Sequence, residues 1–253
     1  MSNDHLNDLE MGRCRSYVLS QLTEHEQMRA HPGGPGPAVT ISYQTGAGEH
    51  EIAKRVAEIL QAAEPGAAVP WTVFDRQLVE EVLKRHNLPE AMAKYMPEDR
   101  RSFIDEEIDE LLGLHPPAWI MVPHIAETIL HLADAGHVIL VGRGAGFITA
   151  HMPNVFRVRL IAPLPGRIER VQKVEKLSAK EAAKFIAQKD RGRSRYAKAY
   201  FRGGAGDDLL YHLVINTGRI PCPAAAQLIA DQAQKCFLPN SVGSQPTIEK
   251  SPA

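Results

Sequence analysis

Five short apolar runs rich in β-branched residues occur along the chain, and segments with helical periodicity separate them. The predicted strands are Ala38–Ser42, Trp71–Asp75, a strand from His137 that runs into a glycine-rich turn ending at Gly146, Val155–Ala162 and Leu213–Asn216. The predicted helices are Ile52–Leu60, Arg76–His86, residues 88–115, Ile120–Ala135, Pro163–Val174, a long helix from Ser178, and Pro221–Cys236. Such alternation predicts an α/β fold with a mainly parallel sheet, whose ligands bind at the carboxyl ends of the strands.

The two ends of the chain differ in composition from this alternating region. Residues 1–30 predict a polar, partly amphipathic helix, and the prolines and glycines of His31–Pro37 predict a linker. The polar residues after Phe237 predict a disordered tail. We therefore predict an N-terminal extension over 1–37, a core domain over 38–236 and a tail over 237–253.

Charge and cysteine content narrow the functional classes. The 253 residues have a formal net charge of −1, which gives no electrostatic reason to expect nucleic acid or an anionic membrane as a partner. We see neither an apolar run of about 18 residues nor the apolar core of a signal peptide, so we expect no membrane span and a cytoplasmic location. The three cysteines are widely spaced, which predicts neither a disulfide framework nor a zinc site.

The first strand is followed by QTGAGEHE, a glycine-containing turn that opens a helix. Gly46 and Gly48 would let backbone N–H groups approach a phosphate, and the helix dipole would add partial positive charge. The lysine and the Ser/Thr that end a Walker A loop are replaced by Glu49 and His50. The alternative is an ordinary strand-to-helix turn that needs glycine.

Two more charged residues follow predicted strands. Asp75 could hold a magnesium-bound water or an acceptor hydroxyl, or it could cap the next helix through that helix's backbone N–H groups. Arg143 lies between glycines, where its guanidinium could clamp a phosphate or simply extend into solvent.

The long helix from Ser178 carries the basic segment KDRGRSRYAKAYFR. Ser178 and Glu181 have the spacing of a capping box at its start. Arg191 and Arg195 are four residues apart on one helical face, whereas Arg193 lies off that face. Arginines on a moving segment are typical of phosphoryl transfer, and the alternative is a solvated basic face.

Taken in order, these segments resemble the cytidylate-kinase-like family, a branch of the nucleoside-monophosphate kinases. The resemblance covers about residues 38–233. The segments that carry it are VTISYQTGAGEHEIA, PWTVFDRQLVEEVL, VILVGRGAG, NVFRVRLIAPLPGRIERV, KDRGRSRYAKAYF and LLYHLVINTG. It implies a P-loop NTPase-like, three-layer fold with a five-stranded sheet, a helical acceptor-side region over 76–135 and an arginine-rich lid over 178–208.

The resemblance also implies roles for individual positions. The donor-phosphate loop would comprise Gln44, Gly46, Ala47, Gly48, Glu49 and His50. Acceptor-binding residues would be Arg76, Arg143 and Asp190, and the catalytic residues would be Asp75, Arg191, Arg193 and Arg195. Magnesium would accompany ATP, with Asp75 as a candidate ligand.

Two functions follow as hypotheses. The first is transfer of the γ-phosphate of ATP to a nucleoside monophosphate, such as CMP or dCMP, or to a similar small acceptor. The second is a non-catalytic nucleotide-binding or regulatory protein on the same fold, which the missing lysine favours. In either case we expect nucleotides as partners, and self-association would use the N-terminal helix or the helices of 88–135.

Overall fold

The structure is a computed structural model that describes residues 35–67, 69–75, 118–200 and 208–237, and it describes the side chains of these residues except those of 118–124 and 199–200. The predicted N-terminal helix, most of the linker, the helices over 76–117, the 201–207 segment and the tail from 238 lie outside the described residues. Arg76 lies outside them as well.

The five predicted strands form one sheet. They are β1 (Ala38–Tyr43), β2 (Thr72–Phe74), β3 (Val138–Val141), β4 (Val155–Ile161) and β5 (Leu213–Asn216). Their order is β2-β3-β1-β4-β5, and every neighbouring pair is parallel. The prediction of a parallel five-stranded α/β sheet is therefore confirmed, and the carboxyl ends of all the strands meet at one edge.

Helices connect these strands on both sides of the sheet. They are α1 (Glu49–Ala63), α2 (Ala118–Ala135), α3 (Ala145–Ile148), α4 (Leu164–Glu175), α5 (Ala179–Tyr200) and α6 (Cys222–Phe237), with a 3₁₀ turn at Asp208–Leu210. The four-residue α3 and the 3₁₀ turn were not predicted, because such short elements contain too few residues to show a period. No helix in the described ranges is long and apolar enough to cross a membrane.

Alternate residues of the central strand β1 supply the two hydrophobic cores. Val39 and Ile41 lie in the core beneath α1 and α6, where Ile52 of α1 is fully buried. Ala38 lies in the opposite core, which α2 covers with Ile129. Because each side chain along a strand points to the face opposite its neighbours, a buried central strand can support both layers at once.

Helix α5 begins with the predicted capping box. The amide and the hydroxyl of Ser178 donate to Glu181 Oε2 at 2.9 and 2.6 Å, and the Glu181 amide donates back to Ser178 Oγ at 3.4 Å. These hydrogen bonds from Ser178, the side-chain one first, hold the pKa of Glu181 below its usual value. The box fixes where α5 starts and so which residues reach the sheet edge.

Candidate functional site

The glycine loop, defined here as residues 44–48, joins β1 to α1 at the carboxyl edge of the sheet. Gly46 and Gly48 have φ values of 79° and 92°, in the left-handed region. A Cβ on Gly46 would lie 2.7 Å from the Arg167 carbonyl oxygen, and one on Gly48 would lie 2.7 Å from Cys222 Sγ. Both backbone conformation and close packing therefore require glycine at these positions.

Three side chains from outside the loop bind its carbonyl oxygens. Arg167 Nη1 donates to the Thr45 carbonyl at 3.3 Å, and Arg170 Nη1 donates to the Gly46 carbonyl at 3.2 Å. Thr217 Oγ1 donates to the Ala47 carbonyl at 2.7 Å. Three of the loop's carbonyls are therefore tied to α4 and to the residue that follows β5.

The loop amides are arranged differently from its carbonyls. Within the described part of the chain, the amides of Gly46 and Gly48 donate to no acceptor, and both glycines line a pocket. They precede the positive end of the α1 dipole, which also favours an anion there. Amides of this kind at a helix N-terminus can bind a phosphate.

A pocket of about 520 Å³ lies above this loop. Its described walls bring together seven of the predicted site residues: Gly46, Gly48, Glu49, His50, Asp75, Arg143 and Arg193. Five others are not on these walls: Gln44, Ala47, Asp190, Arg191 and Arg195. Gln44 is engaged elsewhere, since its side-chain oxygen accepts from the Ala162 amide at 3.0 Å.

Glu49 occupies the position of the Walker A lysine and is only 6% exposed. Burial raises its pKa, against the lowering effects of His50, its own backbone N–H and Arg193. A protonated carboxyl repels a phosphate less than a carboxylate does. The substitution therefore removes the positive charge of lysine, and burial makes the carboxylate form of Glu49 less favourable than that of an exposed glutamate.

His50 and Asp75 connect α1 to the end of β2. The His50 Nδ1 atom contacts Asp75 Oδ2, and its Nε2 lies 3.9 Å from Glu49 Oε1. Asp75 therefore has a side-chain partner on the pocket wall, whereas the helix that it was predicted to cap lies outside the described residues. In the described ranges, no group of three or more His, Cys, Asp or Glu residues could hold a metal ion.

Arg143 follows β3 in a strained backbone conformation. Its φ is 56°, between Gly142 at 74° and Gly144 at 72°, and α3 begins directly afterwards. A left-handed non-glycine residue costs roughly 1–3 kcal/mol, and such residues cluster at functional sites. The three consecutive left-handed residues place Arg143 on the pocket wall.

The face of α5 that meets the glycine loop carries Arg193 and Asp190. Buried Ala182, Ile186 and Ala197 lie on the same stripe, at the three- and four-residue spacing of one helical face. Arg193 reaches the pocket, with its guanidinium carbon 4.4 Å from the centroid of the Tyr43 ring. The sequence had indicated that the face with Arg191 and Arg195 would meet the phosphates. In the structure Arg191 is exposed, and Arg195 is half-buried and does not lie on the pocket wall.

Asp190 links α5 to the glycine loop and to α4. Its Oδ1 accepts from the Thr45 amide at 2.9 Å, the Thr45 hydroxyl at 2.7 Å and Arg193 Nη2 at 2.9 Å. Its Oδ2 accepts from Arg167 Nη1 at 2.6 Å. Burial acts to raise its pKa, but these hydrogen bonds outweigh that effect and hold the pKa below its usual range.

The sequence reasoning did not identify three residues that shape the site: Arg167, Arg170 and Thr217. The two arginines are three residues apart on α4, a spacing that places both on one helical face. That spacing was the available signal, but it does not reveal that their partners are loop carbonyls more than 100 residues earlier in the chain.

Comparisons with known proteins show the family of this chain. Residues 38–219 match the cytidylate kinase-like family. Cytidylate kinase of Pyrococcus horikoshii is 28% identical over 150 residues, 58% of this chain and 74% of that protein. Cytidylate kinase of Methanopyrus kandleri is 28% identical over 163 residues, 61% of this chain and 81% of that protein.

Two other similarities are more limited. Uronate isomerase of Corynebacterium glutamicum is 32% identical over 100 residues, which are 40% of this chain but 19% of that protein, so the chain spans about a fifth of that relative's length. A crystal structure of a protein from Eubacterium ventriosum covers 78% of this chain and 98% of its own, with a TM-score of 0.57 and 19% identity. That likeness shows the fold alone.

Proposed function

The chain belongs to the cytidylate kinase-like family, and we propose that it transfers the γ-phosphate of ATP to a nucleoside monophosphate or a similar small acceptor. The observation that supports the proposal is the arrangement of carbonyls and amides in the glycine loop. Its carbonyls are held by Arg167, Arg170 and Thr217, while the amides of Gly46 and Gly48 border the pocket.

The mechanism we propose relies on positioning and on charge neutralisation. The amides at Gly46 and Gly48 bind the donor phosphates, and Arg193 reaches them from α5. Arg143 binds the acceptor phosphate from the end of β3. Phosphoryl transfer needs little covalent chemistry from the protein, since fixed donors aimed at the transferring group lower the barrier.

Magnesium enters this proposal with ATP. The carboxylate of Asp75 is of the ligand type that magnesium prefers, and it lies on the pocket wall. Magnesium commonly keeps several waters and binds through one or two carboxylates plus substrate phosphates. Asp75 would thus contribute to a site that the nucleotide completes, and the ion would neutralise charge between the phosphates.

Lid residues away from the pocket wall have roles that require movement. Arg191 is exposed on α5, so contact with the transferring group would need this helix to move towards the ligand. Arg195 is half-buried, and its Nε has no hydrogen-bond partner among the described residues. We propose that both arginines act only in the ligand-bound state.

A second candidate function is supported by Glu49. A buried carboxyl at the lysine position removes a charge that P-loop kinases use on the phosphates. A nucleotide-binding protein that does not transfer phosphate would tolerate this substitution, because loop amides alone can bind an anion.

One screen separates the two functions. Purified protein is mixed with magnesium and ATP or GTP, alone and with a panel of nucleoside monophosphates, and both ADP release and thermal shift are measured. The kinase proposal predicts acceptor-dependent ADP release. Thermal stabilisation by nucleotide without ADP release for any acceptor would support the non-catalytic function. If neither thermal stabilisation nor ADP release is observed, both proposed functions are refuted.

A further inference from the structure

We infer that Asp190 is a positioning residue that joins the glycine loop to α5 and holds Arg193 over the pocket. This differs from the acceptor-binding role that the resemblance implied for it. The inference rests on the proposed function for its catalytic consequence, but the geometry itself involves only side chains of this chain.

The contacts of Asp190 leave little capacity for a substrate. Its two oxygens accept four hydrogen bonds within the protein, from the Thr45 amide, the Thr45 hydroxyl, Arg167 and Arg193. An ionised carboxylate offers about four lone-pair directions. Three of these donors saturate Oδ1, so an acceptor nucleotide could bind only at the remaining lone pair of Oδ2, and Asp190 does not line the pocket wall.

The same contacts determine where Arg193 lies. Its Nη2 donates to Asp190 Oδ1 at 2.9 Å and to the Thr45 hydroxyl. Its guanidinium carbon lies over the ring of Tyr43, at the end of β1. An arginine held at one edge by a carboxylate and on one face by an aromatic ring loses most of its rotamer freedom before a ligand arrives.

Arg167 makes this arrangement part of a larger unit. It donates to Asp190 Oδ2 at 2.6 Å, to the Thr45 carbonyl at 3.3 Å and, through Nε, to the Ala162 carbonyl at 3.0 Å. One carboxylate and one guanidinium thus connect α4, α5 and the glycine loop. The phosphate-binding amides and Arg193 are consequently fixed in one frame, which is what a preorganised anion site requires.

The first test needs no ligand. Asp190→Asn is compared with wild type and with Asp231→Asn, a matched control on α6 whose carboxylate accepts from Gln227 at 2.8 Å. We expect the ¹⁵N order parameter of Arg193 Nε–Hε to stay above about 0.6 in wild type and control, and to fall below about 0.6 in Asp190→Asn. A rigid Arg193 in Asp190→Asn would overturn the inference.

The second test is a double-mutant cycle on MgATP affinity, measured by calorimetry with the full chain. Removing one charge-assisted hydrogen bond predicts about tenfold weaker binding for Asp190→Asn. In an Arg193→Met background the same substitution should weaken binding clearly less than tenfold, because the part of the effect that passes through Arg193 is already lost and only the contact with the Thr45 amide remains. The inference would be contradicted if the fold-losses in MgATP affinity of the two single variants multiplied in the double variant. Tighter MgATP binding by Asp190→Asn would contradict it as well.

If Asp190→Asn does not fold, Thr45→Val replaces it in the measurement of MgATP affinity. It removes the hydroxyl that contacts both Asp190 and Arg193 but keeps the Thr45 amide. We expect Thr45→Val to weaken MgATP binding about threefold. In the Arg193→Met background the same substitution should leave MgATP affinity unchanged. A weakening of MgATP binding that persists in that background would overturn the inference. If wild type binds no MgATP, the proposed function fails, while the order parameters still decide the role of Asp190.

Discussion

The guanidinium carbon of Arg193 lies 4.4 Å from the centroid of the Tyr43 ring, so α5 and the end of β1 meet directly over the glycine loop. Cation–π contacts of this kind contribute about 0.5–2 kcal/mol, according to how far they are shielded from water. The contact makes Arg193, among the arginines of α5, the one held at the pocket before any ligand binds.

Arg193 and Arg191 should therefore differ in their effects on catalysis. We expect Arg193→Ala to lower kcat/KM on the order of 100-fold and to weaken ATP binding, because a preorganised donor to the phosphates is lost. We expect Arg191→Ala to lower kcat more than it changes KM, since exposed Arg191 reaches the ligand only after closure. Steady-state kinetics of both variants test this, and equal effects of the two substitutions on KM would count against it.

Arg143 should govern use of the acceptor. Arg143→Ala removes the guanidinium proposed to bind the acceptor phosphate, so we expect the KM for the monophosphate to rise at least tenfold, with a smaller change in the KM for ATP. Arg55→Ala serves as the control, because Arg55 is exposed and pairs with Glu51 on its own helix at 3.2 Å. A change in the KM for ATP alone would assign Arg143 to the donor side.

Burial of Glu49 predicts a pH-dependent stability. Because its pKa is raised above the ordinary value of 4.5, the folded state binds the proton more tightly than the unfolded chain does. The stability that the protonated carboxyl contributes is complete below pH 4.5 and is lost as pH rises through the raised pKa.

Glu49→Gln, which stays neutral, isolates this contribution. We expect the Tm difference between Glu49→Gln and wild type to be smallest near pH 4.5 and to grow in favour of Glu49→Gln as pH rises. Glu58→Gln, an exposed position on the same helix, should give a nearly constant difference. Calorimetric scans at several pH values measure both, and a pH-independent difference for Glu49→Gln would refute the prediction.

The sequence was informative where local physics determines structure. The strand Leu213–Asn216 agrees with the prediction at both ends, and the Ser178–Glu181 capping box forms as its spacing required. The sequence likewise indicates the family and the parallel sheet, the sheet through the alternation of strands with helices. The ends of the strand and the capping box depend only on residues that are close together along the chain.

The functional face of α5 could not be identified in this way. Arg191 and Arg195 share a face by spacing, yet the face that contacts the loop is set by burial of Ala182 and Ile186 against α4. Periodicity shows which residues share a face, but tertiary packing decides which face is buried. Two of the three partner residues of Asp190, Arg167 and Thr45, lie 23 and 145 residues earlier in the chain, a separation that local patterns do not encode.

Gly46 provides the sharpest test of the loop geometry. Gly46→Ala introduces a Cβ 2.7 Å from the Arg167 carbonyl oxygen, at a φ of 79° that alanine adopts with strain. We expect a loss of about 2 kcal/mol or more in the free energy of unfolding, together with weaker MgATP binding as the loop moves away from α4. Gly66→Ala is the matched control, because a Cβ there meets nothing within 4 Å.

Urea denaturation of the two glycine variants gives the stability difference, and calorimetric titration with MgATP gives the binding difference. Gly66→Ala should change the free energy of unfolding by less than about 1 kcal/mol and leave MgATP affinity as in wild type. Gly46→Ala with wild-type stability and affinity would mean that the close approach of the loop to α4 is not required. The fixed loop, on which the proposed phosphate site depends, would then lose its main structural support.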